Sequence, residues 1–338
     1  MIWLVLSFGF TLLSSLILIK SAARLGLVDV PEERKVHAIP TPRTGGIAMV
    51  WGTLITFAVY LATGHPWPPL PWQTIAAGTG FMIIGILDDR YSFHPRGKLG
   101  WFILLGFLAA WPWAFHGPVG SPYLVYFGGW VLHAPRWLTY PFLAAWFVAV
   151  PNAVNIEDAI NGYMGGFTLI MLAAAALLGV NVMIPVEALE SFLLLNWPKA
   201  KHFLGDAGSF GCGFVIADAL LRAGGNKRPL LALVLTAPIS FDVFMGIIRR
   251  IRLKMSLFEA DRSTCPHHVV RLCGQSHGWA SLILWANAST IAFLAFQPMV
   301  YEMIYLALFS LVLVLFNWPL MFDHHKDLGK VNPVRHVD

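Results

Sequence analysis

MIWLVLSFGFTLLSSLILI, residues 1–19, holds no charged side chain and is long enough to cross a bilayer as one helix. A hydrocarbon core of about 30 Å takes roughly 20 helical residues. The run has no basic segment before it and no Ala-x-Ala site, so it reads as a retained span and not a removed signal peptide. Working outward, further apolar stretches recur at approximately 46–62, 74–88, 99–115, 138–154, 164–182, 185–197, 208–221, 230–248, 279–296 and 299–320. The third, seventh and eighth of these eleven are short, which neighbouring helices can support. The composition, 57% apolar and 12% charged with 14 Trp and 24 Phe in 338 residues, excludes a soluble globular chain. The predicted fold class is all-α, a polytopic membrane bundle of about eleven spans, with one membrane domain over 1–322 and a polar tail over 323–338. Cys212 lies in an apolar run and Cys265 and Cys273 in a basic loop, without a Cys-x-x-Cys pair, so no structural disulfide is expected.

Lys and Arg in short loops stay in the cytoplasm. If the first span exits there, that face carries nineteen of the basic residues, from Lys20 and Arg24 to Arg335, and the opposite face only Arg136, Arg222, Lys227 and Arg228. The N-terminus is therefore expected outside and, with eleven spans, the C-terminus inside. The outer stretch from Pro118 to Trp137, rich in aromatics, suits a shallow interfacial turn or hairpin without chemistry of its own.

Every dense cluster of polar residues then falls on the cytoplasmic face, where charge near embedded helix ends is costly unless it serves a site or a partner. The first cluster runs from Asp29 through Arg34, Lys35 and His37 to Pro40-Thr41-Pro42-Arg43-Thr44-Gly45-Gly46. It resembles an anion site, with Gly45 and Gly46 letting backbone approach phosphate at a helix N-terminus; the alternative is a plain basic loop. Asp88-Asp89-Arg90, followed by Arg96 and Lys98, places two carboxylates side by side. A divalent cation or a basic partner would neutralise them, and magnesium takes one or two carboxylates plus substrate phosphate oxygens. Asn152, Asn155 and Asp158 recur every three residues and so share a helix face, suited to a nucleobase, a ribose or a metal-bound phosphate, or else to interhelical hydrogen bonds. Asp206 in Phe203-Leu204-Gly205-Asp206-Ala207-Gly208-Ser209 offers a third carboxylate, although Asp in that setting by itself reads first as a helix N-cap. The last loop, from Arg249-Arg250 through Phe258-Glu259-Ala260-Asp261-Arg262 to His267, His268 and Arg271, could grip a diphosphate; Cys265, His267, His268 and Cys273 match no standard zinc spacing.

Taken together, Arg34-Lys35-Val36-His37 with Pro40 to Gly46, Asp88-Asp89-Arg90, Asn152 to Gly162, Leu204 to Ser209 and Phe258 to Arg262 resemble the bacterial polyprenyl-phosphate N-acetylhexosamine-1-phosphate transferases, close to the N-acetylglucosamine type. The motifs stand in family order and span nearly the whole chain. The resemblance implies transfer of N-acetylhexosamine 1-phosphate, foremost N-acetylglucosamine 1-phosphate, from a UDP-sugar to undecaprenyl phosphate, with release of UMP, at the bacterial inner membrane. It implies Mg2+, or Mn2+ in its place, with Asp206 and Asp88 as ligands, and Asp88, Asp89 and Asp158 at the catalytic centre, one of the first pair taking the lipid phosphate's proton. Asn155 and Asp158 would lie near the uridine, Phe203 would stack on uracil, and His267 and His268 would face the diphosphate. Lys35, His37, Arg43, Arg96, Lys98, Asn152, Asn161 and Arg262 complete the expected substrate contacts. The expected partners are the UDP-sugar, the polyprenyl phosphate and the membrane, with a homodimer allowed and no nucleic acid.

Two departures stand out. Ala159 replaces the usual Gly after the Asp, and Thr264-Cys265-Pro266 interrupts the usual His-x-His-His run. A muramoyl-pentapeptide transferase would carry three histidines followed by Phe-Glu, whereas Val269-Val270 follow here. A lipid or nucleotide-sugar transporter would show inverted repeats and a midplane site. The orientation is testable: Arg90→Cys and Arg262→Cys are expected to react with a membrane-impermeant thiol reagent only when the cytoplasmic face is exposed. Labelling from outside intact cells would invert the topology.

Overall fold

The computed structural model describes residues 2–31, 39–66, 70–115, 123–127, 130–225, 228, 230–256, 264–294, 296 and 304. Among these the chain forms eleven helices: α1 (Ile2–Leu25), α2 (Gly45–Ala62), α3 (Trp72–Tyr91), α4 (Pro95–Phe115), α5 (Arg136–Glu157), α6 (Tyr163–Leu177), α7 (Met183–Asn196), α8 (Gly205–Gly224), α9 (Leu231–Arg252), α10 (Cys265–Leu272) and α11 (His277–Leu294). Each of the first ten predicted spans is met by a helix, and the eleventh, 299–320, lies outside the described residues. α10 is an addition, one short helix inside the last basic loop. Among the described residues, strand is confined to two antiparallel pairs, β1 (Val28–Asp29) with β2 (Thr41–Pro42) and β3 (Tyr123–Phe127) with β4 (Trp130–Ala134), the latter a hairpin within the stretch read as an interfacial turn or hairpin.

The packing is that of a membrane protein. On α1 the buried residues are Ser7, Thr11, Ser15 and Ala22, while Leu13, Leu16 and Ile17 face outward. Small polar side chains seal helix contacts where lipid supplies no hydrophobic drive between helices. Ser7 Oγ donates to Ile184 O at 2.8 Å, and a Cβ on Gly52 of α2 would lie 2.0 Å from Thr11 Oγ1. α1, α2, α4, α5 and α9 are long and apolar enough to cross a bilayer. α3 and α8 have no such uninterrupted apolar window: α3 carries Asp88, Asp89 and Arg90 in its last turn, and α8 carries Asp206 in its first turn and Asp218 and Arg222 further on. The bundle shields them, for α8 packs on α2, α3, α5, α6 and α9.

Glycines on α8 and its neighbours permit that central position. A Cβ on Gly46 would stand 2.1 Å from Gly208 N, one on Gly85 2.5 Å from the Cα of Ala207, and one on Gly213 2.4 Å from the Cα of Pro151. α2, α3 and α5 therefore touch α8 backbone to backbone. Gly46→Ala is expected to wedge α2 from α8 and cost about 1–3 kcal/mol in a denaturation series, as overpacked cores do. Gly97→Ala on α4, where a Cβ meets nothing within 4 Å, serves as the control and is expected to leave stability unchanged or slightly raised.

Candidate active site at the helix ends

The tight reversal from α3 into α4 sets the first part of the site. Ser92, in the left-handed region at φ 51°, ends α3, and its N–H donates to Asp88 O at 2.8 Å. Phe93 N–H donates to Asp88 Oδ1 at 2.7 Å. This turn returns α4 alongside α3 and brings Lys98 onto Asp88 Oδ2 in a short ion pair, with the same ammonium 3.6 Å from Asp206 Oδ2. Two carboxylates from different helices thus converge on a single cationic point.

Asp206 sits in the first turn of α8, yet no side-chain cap bond forms there and the N-cap position is Leu204. The capping role that the local sequence suggested is overturned, because tertiary partners claim the carboxylate. Asn155 Nδ2 donates to Asp206 Oδ1 at 3.0 Å and contacts Ser209 Oγ at 2.8 Å. Asp89 points to the other side, where its Oδ2 accepts from Ala207 N–H at 3.3 Å. Its buried Oδ1 makes no hydrogen bond among the described residues and lies 3.7 Å from Arg43 Nη1. Arg43 is held in turn by Asp29 at 2.5 Å across the β1–β2 pair. Asp158 ends α5 at its C-cap, beside this group. Part of the residue reaches the surface but its carboxyl is enclosed, and burial, followed by the charge of Asp89, pushes it up to about 7.

The anion site expected at Gly45 and Gly46 is not present. Their N–H groups donate to Phe203 O at 2.9 Å and Leu204 O at 2.8 Å, while Phe203 N–H donates to Pro42 O at 2.7 Å. The glycines exist for helix contact, and the α2 terminus is capped by the segment leading into α8. His202, buried there with Nδ1 3.5 Å from Thr44 Oγ1, is lowered by burial to about 4 and stays neutral.

The other expected residues divide. Asn152 bonds its own helix at Val148 O, 2.7 Å away, and does not join Asn155 in the site. Asn161 is structural: its N–H meets His277 Nδ1 at 3.1 Å and its carbonyl accepts from Ser281 Oγ at 2.6 Å, tying the turn to α11. Arg96 is exposed on the first turn of α4, with its N–H on His94 Nδ1 at 3.3 Å. Phe203 is half-buried, and its backbone provides the clamp just described. His267 and His268 lie half-buried on α10, where Thr264 Oγ1 holds His267 Nδ1 at 2.7 Å and Arg271 Nη2 reaches His268 Nδ1 at 3.2 Å. Lys35, His37 and Arg262 lie outside the described residues.

Three residues of consequence were not singled out in the sequence: Ser209, Glu157 and Asp242. Glu157 and Asp242 are 1% and 2% exposed. Asp242 carried a signal, as the lone charge in the apolar stretch 230–248, which in a membrane helix points to a partner.

Among the described residues no three His, Cys, Asp or Glu side chains are arranged as a complete chelate. Asp88 and Asp206 nevertheless converge on one ammonium, which is the two-carboxylate donor set a hard divalent cation takes when phosphate oxygens and water supply the rest. Lys98→Met is expected to leave these carboxylates facing each other uncompensated, lowering stability by about 2 kcal/mol in a chemical-denaturation series. Adding Asp206→Asn is expected to recover part of that loss; strict additivity would show that Lys98 does not couple them.

The sequence pattern of "Glycosyl transferase family 4" matches residues 72–224, the stretch holding Asp88, Asp89, Lys98, Asn155, Asp158 and Asp206. The chain is 29% identical to the "Probable undecaprenyl-phosphate N-acetylglucosaminyl 1-phosphate transferase" of Bacillus subtilis, over 84% of this chain and 82% of that protein. It is 30% identical to the "Decaprenyl-phosphate N-acetylglucosaminephosphotransferase" of Mycobacterium tuberculosis, over 80% and 76%. To the "Undecaprenyl-phosphate alpha-N-acetylglucosaminyl 1-phosphate transferase" of Escherichia coli it is 28% identical, over 92% and 88%. With a bundle of this architecture and carboxylates gathered at its helix ends, the chain belongs to glycosyl transferase family 4, among the polyprenyl-phosphate N-acetylglucosamine 1-phosphate transferases.

Proposed function

We propose that the protein transfers N-acetylglucosamine 1-phosphate from a UDP-sugar to undecaprenyl phosphate, releasing UMP and starting a cell-envelope polysaccharide. The observation that carries this reading is the convergence of Asp88 and Asp206 on Lys98, with Asp89, Arg43 and Asn155 around them, at the ends of membrane helices. An oxygen of the lipid phosphate attacks the sugar-proximal phosphorus of the donor. That P–O bond forms as the bond to UMP breaks, and UMP departs with the electron pair. The chief obstacle is negative charge gathering between two phosphate-bearing reactants. Asp206 and Asp88 would hold Mg2+, or Mn2+, whose contribution when bound is neutralisation of that charge. Lys98 and Arg43, already seated among the carboxylates, bring cations to the same place, and Asn155 orients Asp206.

A cavity of about 570 Å³ supports a lipid acceptor. It lies among α1, α2, α3, α7 and α8, is mostly apolar, and reaches from Gly46 and Ala207 to Asp218 and Arg222. Ala207 lines it and also donates its N–H to Asp89, so the cavity's inner end adjoins the carboxylates. The basic-residue bias supports a cytoplasmic site with the N-terminus outside, where a cytoplasmic UDP-sugar reaches it. His267 and His268 of α10 would meet the donor diphosphate, and Phe203 the uracil.

Incubating the purified protein with undecaprenyl phosphate and a panel of UDP-sugars decides the reaction. UDP-N-acetylglucosamine is expected to give a lipid-diphosphate sugar and UMP, and product from the muramoyl-pentapeptide donor alone would assign the chain to that branch. Asp88→Asn, Asp89→Asn and Asp206→Asn are each expected to lower turnover by about a hundredfold or more in folded protein, since a preorganised charge contributes several kcal/mol to a barrier. Unaltered magnesium dependence in Asp206→Asn would remove it as a ligand. Because the carboxyl of Asp158 is raised to about 7, its carboxylate predominates only above that pH. A reaction needing the ionised form therefore quickens as pH rises through about 7, and Asp158→Asn is expected to erase that limb of the pH–rate profile.

A further inference from the structure

Asp242 lies in the middle of α9, is buried, and takes no part in the carboxylate cluster around Lys98. A carboxyl in a membrane helix is expensive unless something is bound to it. Its Oδ2 accepts the backbone N–H of Cys265, the first residue of α10, at 2.7 Å. α10 has only eight residues, and of these only Pro266 and Val270 are buried. A helix so short does not stand on its own and must be fixed by tertiary contacts.

The N-terminus of α10 lacks the cap its own sequence could supply. Thr264 occupies the N-cap position with extended backbone but makes no side-chain cap bond; its hydroxyl lies 2.7 Å from His267 Nδ1 instead. Asp242 supplies from α9 the acceptor that a helix N-terminus takes from a cap. Its carboxyl also adjoins that of Glu157, the residue before Asp158. One buried carboxyl thus joins the start of α10 to the end of α5.

We propose that Asp242 is a positioning residue for the transfer reaction, fixing α10, and with it His267 and His268, in register with the Asp158 turn so that the helix can receive the diphosphate of the nucleotide sugar. This rests on the reading of α10 as a donor contact. Asp242 touches no substrate; it acts through the backbone of Cys265.

Two variants remove the contact from opposite sides. Asp242→Ala deletes the acceptor. Cys265→Pro deletes the donor N–H while placing proline at a first helical position, where it is tolerated. Asp242→Asn keeps an oxygen facing Cys265. In the full-length protein in lipid nanodiscs, with UDP-N-acetylglucosamine and undecaprenyl phosphate, the first two variants are expected to raise the donor KM about tenfold, while the acceptor KM stays within about twofold. Amide exchange over 265–272 is expected to quicken about tenfold in both, and Asp242→Asn to restore donor KM and protection to near the wild-type values. Exchange over 265–272 that ignores both Asp242→Ala and Cys265→Pro overturns the anchoring even in an active enzyme. A general loss of kcat with both KM values unchanged overturns the donor-positioning role. Failure of the wild type to transfer any sugar phosphate removes the donor reading itself, and the exchange measurement still decides whether Asp242 holds α10.

Discussion

The close approach of α8 to α2 and α3, made possible by the absence of side chains at Gly46, Gly85 and Gly208, is the contact on which the rest of the molecule depends. It sets the first turn of α8 directly against the last turn of α3. Asp206 and Ala207 thereby arrive beside Asp88 and Asp89, and the N–H of Ala207 meets Asp89. Side chains at those three positions would separate the helices and scatter the carboxylates. The same approach lets the segment before α8 cap α2 through Phe203 O and Leu204 O, so that one contact serves both packing and site.

Three carboxylates drawn together in a poorly solvated place repel, and the fold answers with two cations. Lys98 enters between Asp88 and Asp206 because the α3–α4 reversal is only three residues long. Arg43 approaches Asp89 from the β1–β2 pair, itself steadied by Asp29. This balance of opposite charges suits a centre that must accept phosphates: substrate anions and a divalent cation can exchange for internal partners with little change in net charge. Around the centre the helices bury an apolar core that includes Phe81, Phe102, Phe147 and Phe210, and on α1 the usual polarity is reversed, with Ser7, Thr11 and Ser15 inside and Leu13, Leu16 and Ile17 outside.

The spans were legible because hydrophobic length is a property of the chain alone, and the ten that fall among the described residues coincide with helices. The site was legible in part. Asp88, Asp89, Lys98, Asn155, Asp158 and Asp206 come together as their clustering suggested, and Arg43 joins them. Local rules misplaced others. Gly45 and Gly46 looked like a phosphate cradle, but their N–H groups are spent on Phe203 and Leu204. Asp206 looked like a cap and instead bonds across to α5 and α4. Asn152 shares the helical spacing of Asn155 but turns back onto Val148, since spacing fixes a face and not a rotamer.

What the sequence determined by itself was therefore the membrane-spanning class, the helix positions and the families of residue that do chemistry, because hydropathy, periodicity and motif order are written locally. The tertiary structure alone decided which carboxylate faces which cation, that α2 is capped by backbone rather than by ligand, and that Asp242 reaches the start of α10. Those choices depend on distances between helices far apart in the chain, set by how closely small residues allow backbones to approach, and no local pattern carries that distance.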